Sequence, residues 1–416
     1  MVSAPRPPLR VSHPPRGSRK LGAARRFLGS LTRRAFVLLH RWVALLAGLL
    51  LALLGLTGSL MVWQAELDAA LNPAWFTRET ACATPAQPVA QVLALLGQQA
   101  PQARAAIVVA PAGPGAAYQV WERRDPATNL RREHFIDPAC GQYLGSRVRG
   151  AWRLDRAHAA PLLYELHSRL LTGETGHLVA GVGALVLLGL TLSGVWLAWP
   201  KGRAGWRTAL AIKTSASPAR LWFDVHRALG LWLAPLAVLL CVTGAALVFS
   251  TQARWLVAGV LPTERLARMP AASEHVGTAA RMPPDDLVQQ AQRAFPQARW
   301  SRLTLPAGGE AVAEVRLLQP QEPRIDTGNT RVRLAATGQV LARYDPLQAP
   351  AGSVVLDWVF PLHSGEALGL LARLLWSLFG LLPALLLGTG AWLWWRRRAG
   401  AALRQSAAPA NARMSA

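Results

Sequence analysis

The sequence is short of acidic residues. It contains 22 Asp and Glu against 45 Lys and Arg, which gives a formal net charge of +23 at pH 7. The acidic residues, apart from Asp224, all lie in two long segments or at their edges, whereas residues 1–41 hold ten Lys or Arg and no acid. Segregated charge of this kind is typical of the positive-inside rule of membrane proteins. We therefore predict no nucleic-acid partner, and a basic N-terminal segment that touches anionic membrane lipid.

Charge is absent altogether from four stretches of the chain. Asp, Glu, Lys and Arg are missing from residues 42–65, 178–200, 228–253 and 374–395. About 20 apolar helical residues cross the hydrocarbon core, where backbone groups must be bonded within the segment. The pattern thus predicts four transmembrane helices. Basic residues in 1–41, in 201–227 and after 395 place both termini in the cytoplasm of a multi-pass protein.

Several catalytic signatures are also missing. The chain has no Gly-x-Gly-x-x-Gly fingerprint, no phosphate-binding loop and no His-Glu-x-x-His pair. Without a dinucleotide site, the protein is not expected to take hydride from a nicotinamide cofactor unaided. If it moves electrons, the expected donor is a membrane quinol or a separate cytoplasmic reductase.

Cysteine is scarce, with three in the whole chain. Cys82 and Cys140 fall in the first long segment between predicted helices, on the oxidising side, while Cys241 falls within the third predicted span. No Cys-x-x-Cys spacing is present, which argues against a redox-active thiol pair. A structural disulfide between Cys82 and Cys140 is the economical interpretation.

Histidines recur at matched positions ahead of hydroxyl–glycine pairs. Two of them precede a Thr-Gly pair by 17 residues, His40 before Thr57-Gly58 and His226 before Thr243-Gly244. Two others precede a Ser-Gly or Thr-Gly pair by 26 residues, His167 before Ser193-Gly194 and His363 before Thr389-Gly390. Four histidines at matched places on membrane helices are what a bundle needs to hold planar metal cofactors. The hydroxyls themselves are expected to bond backbone carbonyls one turn earlier.

The two long segments between predicted helices also match one another. Pro101-Gln102-Ala103-Arg104 recurs as Pro296-Gln297-Ala298-Arg299, each time after a helix-like run and before strand-like stretches. Each segment is predicted to be one helix on its own small antiparallel sheet. The expected fold class is an α-helical membrane protein, a four-transmembrane-helix bundle with two periplasmic α+β modules and an internal two-fold repeat.

These patterns divide the chain into nine parts. The N-terminal 1–35 is a basic disordered cytoplasmic tail, and 399–416 is a second cytoplasmic tail. The four spans, of which the second and fourth include periplasmic extensions, are 36–65, 161–200, 226–253 and 361–398. The two periplasmic modules are 66–160 and 254–360, and 201–225 is a cytoplasmic loop.

Taken together, the motifs resemble those of the PepSY-associated transmembrane proteins. The motifs concerned are His40-Arg41-Trp42 running to Leu56-Thr57-Gly58, Asp224-Val225-His226-Arg227 running to Val242-Thr243-Gly244, Pro361-Leu362-His363-Ser364-Gly365-Glu366, and Trp392-Leu393-Trp394-Trp395-Arg396-Arg397-Arg398. This bacterial inner-membrane family includes iron-regulated membrane proteins and haem-containing ferric-siderophore reductases. The resemblance implies four helices, paired periplasmic PepSY modules and haem b held by histidines.

On this resemblance, the matched histidines are candidate axial ligands of two haems. His40 and His226 start different helices on the same side and would share the inner haem iron. His363 would share the outer iron with either His167 or His177. Symmetry favours His167, whereas depth favours His177, because it lies ten residues further along at the edge of the apolar span. We predict that depth decides, with His177 as the ligand.

The resulting functional hypothesis is iron reduction at the outer face of the membrane. Single electrons would pass through haem b to a ferric siderophore or another ferric chelate, so that iron is released for uptake. Glu165, Glu174 and Glu366 would lie near the outer site and could orient histidines or assist ferrous release. The alternative is a non-redox PepSY regulator or sensor that binds a periplasmic protein.

Overall fold

A computed structural model describes residues 16–77, 87–113, 115–128, 130–200, 202–264, 281–306 and 312–411. Cys82 lies outside these residues, so the disulfide with Cys140 stays a prediction, while Cys241 is buried and free. The helices are α1 (Arg16–Met61), α2 (Gln64–Leu71), α3 (Pro73–Phe76), α4 (Val89–Gln99), α5 (Ala159–Arg169), α6 (Gly173–Ala198), α7 (Arg203–Leu210), α8 (Pro218–Trp232), α9 (Ala234–Val248), α10 (Ser250–Ala258), α11 (Pro284–Ala294), α12 (Ala351–Ser364), α13 (Gly369–Phe379) and α14 (Leu382–Asn411). A short 3₁₀ helix covers Glu366–Leu368.

The eight strands of the described chain come in two sets of four. The first set is β1 (Ala105–Val109), β2 (Tyr118–Glu122), β3 (Arg131–Ile136) and β4 (Tyr143–Arg149). The second set is β5 (Arg299–Thr304), β6 (Val312–Leu318), β7 (Thr330–Ala335) and β8 (Val340–Tyr344).

The chain forms two compact units. The first contains the described residues up to Ala47, Gly189–Ala234 and those from Thr389 onward. The second contains Gly48–Leu188 and Pro235–Gly388, and it includes the whole sheet.

Three stretches of helix are long and apolar enough to cross a membrane. They are Leu31–Met61, Gly173–Ala198 and Glu366–Gly400, and a fourth is added if the bent pair Pro218–Trp232 and Ala234–Val248 counts as one span. The chain is therefore a membrane protein. The third predicted span, 226–253, is not one straight helix, because Pro235 follows the end of α8 and has no backbone N–H to continue it.

The first helix begins earlier than the charge pattern predicted. Residues 1–35 were expected to be a disordered tail, but α1 is already helical from Arg16. Arginine, alanine and leucine dominate this stretch, and all three have high helix propensity. The charge pattern alone therefore places the start of the first helix too late in the sequence.

The segment 161–200 is broken rather than continuous. α5 ends at Arg169, and Leu170 and Leu171 adopt positive φ values of 49° and 60° before α6 begins at Gly173. A left-handed residue just after a helix ends it by turning its N–H back to earlier carbonyls. The Leu170 N–H donates in this way to Glu165 and Leu166. The break separates His167 from His177 onto different helices.

The predicted pair of small sheets is instead one sheet. Its order is β4-β3-β2-β1-β5-β6-β7-β8, and all neighbours are antiparallel. The two sets of strands meet where β1 pairs with β5, with Val108 opposite Leu303. An exposed edge strand leaves unpaired N–H and C=O groups, and this pairing removes two such edges.

One face of the sheet is covered by α4 and α11 over a shared core. The fully buried residues of this core include Val92 on α4, Leu287 on α11, and Val108 and Leu303 on the joined strands. The Asp285 carboxylate at the start of α11 accepts the N–H groups of Val89 (2.7 Å) and Ala90 at the start of α4. A residue of the second module thus caps the helix of the first. The two modules form one packed body.

Candidate functional site

Four histidines of the helices share the same local geometry. In each, the ring Nδ1 lies within hydrogen-bond distance of a serine or threonine hydroxyl. The pairs are His40 with Ser193 (2.8 Å), His226 with Thr389 (2.9 Å), His167 with Thr57 (3.0 Å) and His363 with Thr243 (3.1 Å). The hydroxyls are the ones that the sequence marks by their spacing.

Each histidine bonds the hydroxyl of a different helix, not the one that follows it in sequence. His40 on α1 bonds Ser193 on α6, while His167 on α5 bonds Thr57 on α1. His226 and His363 relate to α14 and α9 in the same way. The segments of His40 and His167 therefore exchange hydroxyl partners, and so do the segments of His226 and His363. This exchange explains why the two spacings recur in the sequence. From the sequence, these hydroxyls were expected to bond only backbone carbonyls. Their matched spacing from the histidines was the feature that could have predicted their bonds to the rings.

The backbone bonds of Thr57 and Thr243 indicate one tautomer for His167 and His363. Thr57 donates its hydroxyl hydrogen to the Leu53 carbonyl (2.7 Å), and Thr243 donates to Leu239 (2.7 Å). Because a hydroxyl has one hydrogen, its oxygen must accept from the ring, and the histidine donates Nδ1–H. Nε2 is then the unprotonated nitrogen. This is the tautomer in which a histidine binds a metal through Nε2 while a neighbour orients the ring through Nδ1.

The glycine after each hydroxyl lies against the same histidine ring. A Cβ atom placed on Gly244 would come 2.9 Å from Cε1 of His363, and one on Gly58 would come 3.1 Å from Cε1 of His167. The corresponding distances are 3.3 Å from Gly194 to His40 and 3.5 Å from Gly390 to His226. A larger residue would therefore press on the rings, most of all on that of His363. The glycines are explained by ring packing.

His167 and His363 face each other in the second unit. Their ring centroids are 6.5 Å apart and their planes are inclined by 38°. A metal–imidazole nitrogen bond is about 2 Å long, so two axial imidazoles on one metal place their ring centroids about 6 Å apart. The observed separation fits one metal between the two rings. A haem iron held by these two histidines would fit this separation.

His177 takes a different position from the one predicted. Its Nδ1 lies 3.0 Å from the carbonyl oxygen of Ser168, at the break between α5 and α6. The preference for His177 over His167 rested on depth, since His177 lies ten residues further along at the edge of the apolar span. The break at Leu170 and Leu171 removes that premise. The structure brings His167, not His177, to His363.

His40 and His226 belong to the first unit. Each ring is placed by its own hydroxyl and glycine partners. Asp224, fully buried, pairs with Arg227 at 2.9 Å. Arg227 also donates to the carbonyls of Thr208 and Ala209. These bonds tie the middle of α8, which carries His226, to α7 and the residue that follows it.

The acidic residues expected beside the outer site mostly pair with an arginine. Glu174 lies 2.5 Å and Glu165 3.8 Å from Arg169. Glu366 differs, because its Oε1 is buried and has no hydrogen-bond partner in the described part of the chain. Glu165 and Glu174 therefore pair with Arg169 at the end of α5, and Glu174 also lies near enough to His177 for the two charges to interact.

Other histidines have structural roles in the sheet module. His134 is buried between Tyr143 and Glu122, with ring nitrogens 3.0 and 2.8 Å from their oxygens. His158 is also buried and bonds Asp155 at 2.6 Å. Within the described ranges, no three His, Cys, Asp or Glu side chains gather into a metal-binding group. The described candidate ligands come as single histidines and one facing pair.

Comparison with known proteins agrees with the extent of these elements. A family model described as the PepSY-associated TM region matches residues 37–397, from within α1 to within α14. A search of curated proteins finds no match. The matched region contains the four histidines and their hydroxyl partners.

Proposed function

The chain belongs to the PepSY-associated transmembrane family, and we propose that it is a haem-b electron-transfer protein of the bacterial inner membrane that reduces ferric chelates, such as ferric siderophores, at the periplasmic face. The observation that carries the proposal is the facing pair His167 and His363, at a centroid separation of 6.5 Å. A membrane quinol or a separate cytoplasmic reductase would supply the electrons.

In this proposal, each residue around the facing pair has a specific role in binding the haem. A bound haem would supply one-electron chemistry. Nε2 of His167 and Nε2 of His363 would bind its iron, while Thr57 and Thr243 hold the Nδ1 protons and orient the rings. The glycines beside the rings keep the histidines free to approach a planar group.

A second haem between His40 and His226 completes the proposal. Each of these histidines has a hydroxyl partner and a glycine partner of the same kind as those of the facing pair, which supports the same ligand role. We also propose that the membrane helices form a four-helix bundle of two matched copies, with both termini in the cytoplasm. An inside-negative potential favours outward electron movement, by about 2.3 kcal/mol per charge at 100 mV.

The experiment is a reduced-minus-oxidised visible spectrum and a pyridine haemochrome assay on the purified full chain. We expect a low-spin haem-b spectrum with two haems per chain. His167→Ala and His363→Ala should each remove one haem, while His177→Ala, the matched control ten residues away, should retain both. A colourless protein would contradict the proposal and leave the non-redox regulator. Loss of haem in His177→Ala with retention in His167→Ala would show that the facing pair is not the ligand pair.

A further inference from the structure

The sheet face opposite α4 and α11 carries a set of arginines. On β6, Arg316 alternates with the core residues Val315 and Leu317. Arg302 on β5 and Arg331 on β7 likewise stand beside core residues and on the other face, since side chains alternate along a strand. Arg131 on β3 joins them through a shared aromatic ring. We call Arg131, Arg302, Arg316 and Arg331 the arginine face.

Trp121 holds two members of the arginine face together. The guanidinium of Arg131 lies 4.0 Å from the Trp121 ring centroid, and that of Arg302 lies 4.6 Å from it. Such cation–π contacts stabilise two like charges at close range. Arg302 belongs to the second module and Arg131 to the first, so the face spans the junction of β1 and β5.

The neighbouring carboxylates neutralise the arginine face only in part. The Nε atoms of Arg131, Arg302, Arg316 and Arg331 are buried and lack hydrogen-bond partners among the residues that the structure describes. The nearby carboxylates act on the face but form their ion pairs with other arginines, Glu133 with Arg147 and Arg149, Glu314 with Arg333, and Asp326 with Arg324. Arg331 also donates to the side-chain oxygen of Asn329 and lies near Asp357. Buried cations are normally paired. The arginine face therefore keeps excess positive charge and Nε donors that nothing in the described chain uses.

Burial lowers the pKa of two members of the arginine face, and neighbouring guanidinium groups lower it further. Burial, and then the neighbouring guanidiniums of Arg331, Arg302 and Arg324, lower the pKa of Arg316 to about 9. Burial and Arg149 lower the pKa of Arg131 to about 10. Both side chains are still protonated at pH 7. A bound anion would relieve the repulsion, because it favours the charged form.

We propose that the arginine face binds a multivalent oxyanion, and that in the proposed reductase its occupant is an anionic ferric polycarboxylate chelate awaiting reduction. Guanidinium groups match carboxylates in bidentate geometry, and a polycarboxylate spans several of them at once. A cationic or neutral hydroxamate chelate offers no such match. The substrate class, but not the anion binding itself, rests on the proposed function.

The test is binding of gallium citrate to the detergent-solubilised full chain by isothermal titration calorimetry. Gallium is not reduced, so binding is measured apart from haem content and electron transfer. Arg302→Gln and Arg316→Gln should each weaken binding about tenfold, as loss of a charge-assisted bond does. Arg299→Gln is the matched control, because Arg299 is an exposed residue on the same strand as Arg302. It should leave the affinity unchanged.

Two comparisons make the test decisive. A gallium complex of a cationic trihydroxamate should bind at least about tenfold more weakly than gallium citrate, since it lacks carboxylates. Equal affinity in Arg302→Gln and wild type, or absence of gallium citrate binding to wild type, would overturn the proposal. Retention by anionic phospholipid vesicles without gallium citrate binding would overturn it in favour of a lipid headgroup site. A red protein that does not bind gallium citrate would contradict only this inference. A colourless protein that binds gallium citrate would contradict only the proposed reductase function.

Discussion

At the scale of single residues, the hydroxyl partners of the histidines decide ring orientation. Thr57 accepts from Nδ1 of His167 at 3.0 Å and donates to Leu53. Valine has the shape of threonine without the hydroxyl, so Thr57→Val leaves the Nδ1–H without its acceptor. Loss of such an outer partner typically weakens a metal site about 10–100-fold.

In the proposed haem protein, Thr57→Val should therefore lower the occupancy of one haem and broaden its low-spin signal, whereas Thr57→Ser should behave as wild type. The measurement is the haemochrome stoichiometry together with the reduced-minus-oxidised spectrum of each variant. An unchanged spectrum in Thr57→Val would mean that the hydroxyl serves only the backbone, as the sequence pattern first suggested.

The candidate site was predictable from sequence to a limited depth. The positions of His40, His167, His226 and His363 follow from their matched spacing, and the structure gives all of them one geometry. The choice between His167 and His177 was not predictable, because it depends on the turn at Leu170. Leucine is a strong helix former and gives no local sign of a left-handed conformation. Tertiary context overrides propensity there.

At the scale of elements, a buried ion network joins the sheet to α2. Glu133 on β3 is fully buried and lies 2.9 Å from Arg147, which also contacts Asp68 of α2 at 2.8 Å. Burial raises the pKa of Glu133, but Arg149 and Arg147 outweigh it, and the pKa lies below its usual range. A carboxyl with a lowered pKa stabilises the fold above the pKa of the unfolded chain. That stability is lost as the pH falls through the folded-state value.

Glu133→Gln should lower the free energy of unfolding of the sheet by about 3 kcal/mol at pH 7, since it leaves buried cations without their partner. Wild type should begin to lose this advantage as the pH falls below about 4, near the usual pKa of a glutamate, and should lose it fully only below the lowered folded-state pKa. Thermal unfolding followed from pH 7 down to about pH 2 measures how the difference between the two proteins changes. A difference that stays constant over this range would show that Glu133 acts through packing and not through its charge.

At the scale of the whole molecule, the two α+β modules differ most from what their sequence predicts. Each was expected to carry its own sheet, and the matched Pro-Gln-Ala-Arg motifs do place equivalent strands in each. The joining of β1 to β5 has no local signature, because Ile107 and Val108 read equally well as an edge or a central strand. The pairing of β1 with β5 is set by contacts between residues that are far apart in the sequence. The capping of α4 by Asp285 is likewise invisible in the spacing of either module.

One sheet with one core requires the two modules to open together. Leu303 on β5 is fully buried and lies opposite Val108 on β1. Leu303→Ala should cost about 2–5 kcal/mol, as other large-to-small core substitutions do. Because the core is shared, amide hydrogen exchange should accelerate in β1 and β2 as well as in β5 and β6. Leu341→Ala on β8, where the side chain is 41% exposed, should leave the exchange of all these strands unchanged. Acceleration confined to residues after 281 would show that the modules fold independently and that β1 and β5 do not share one cooperative sheet.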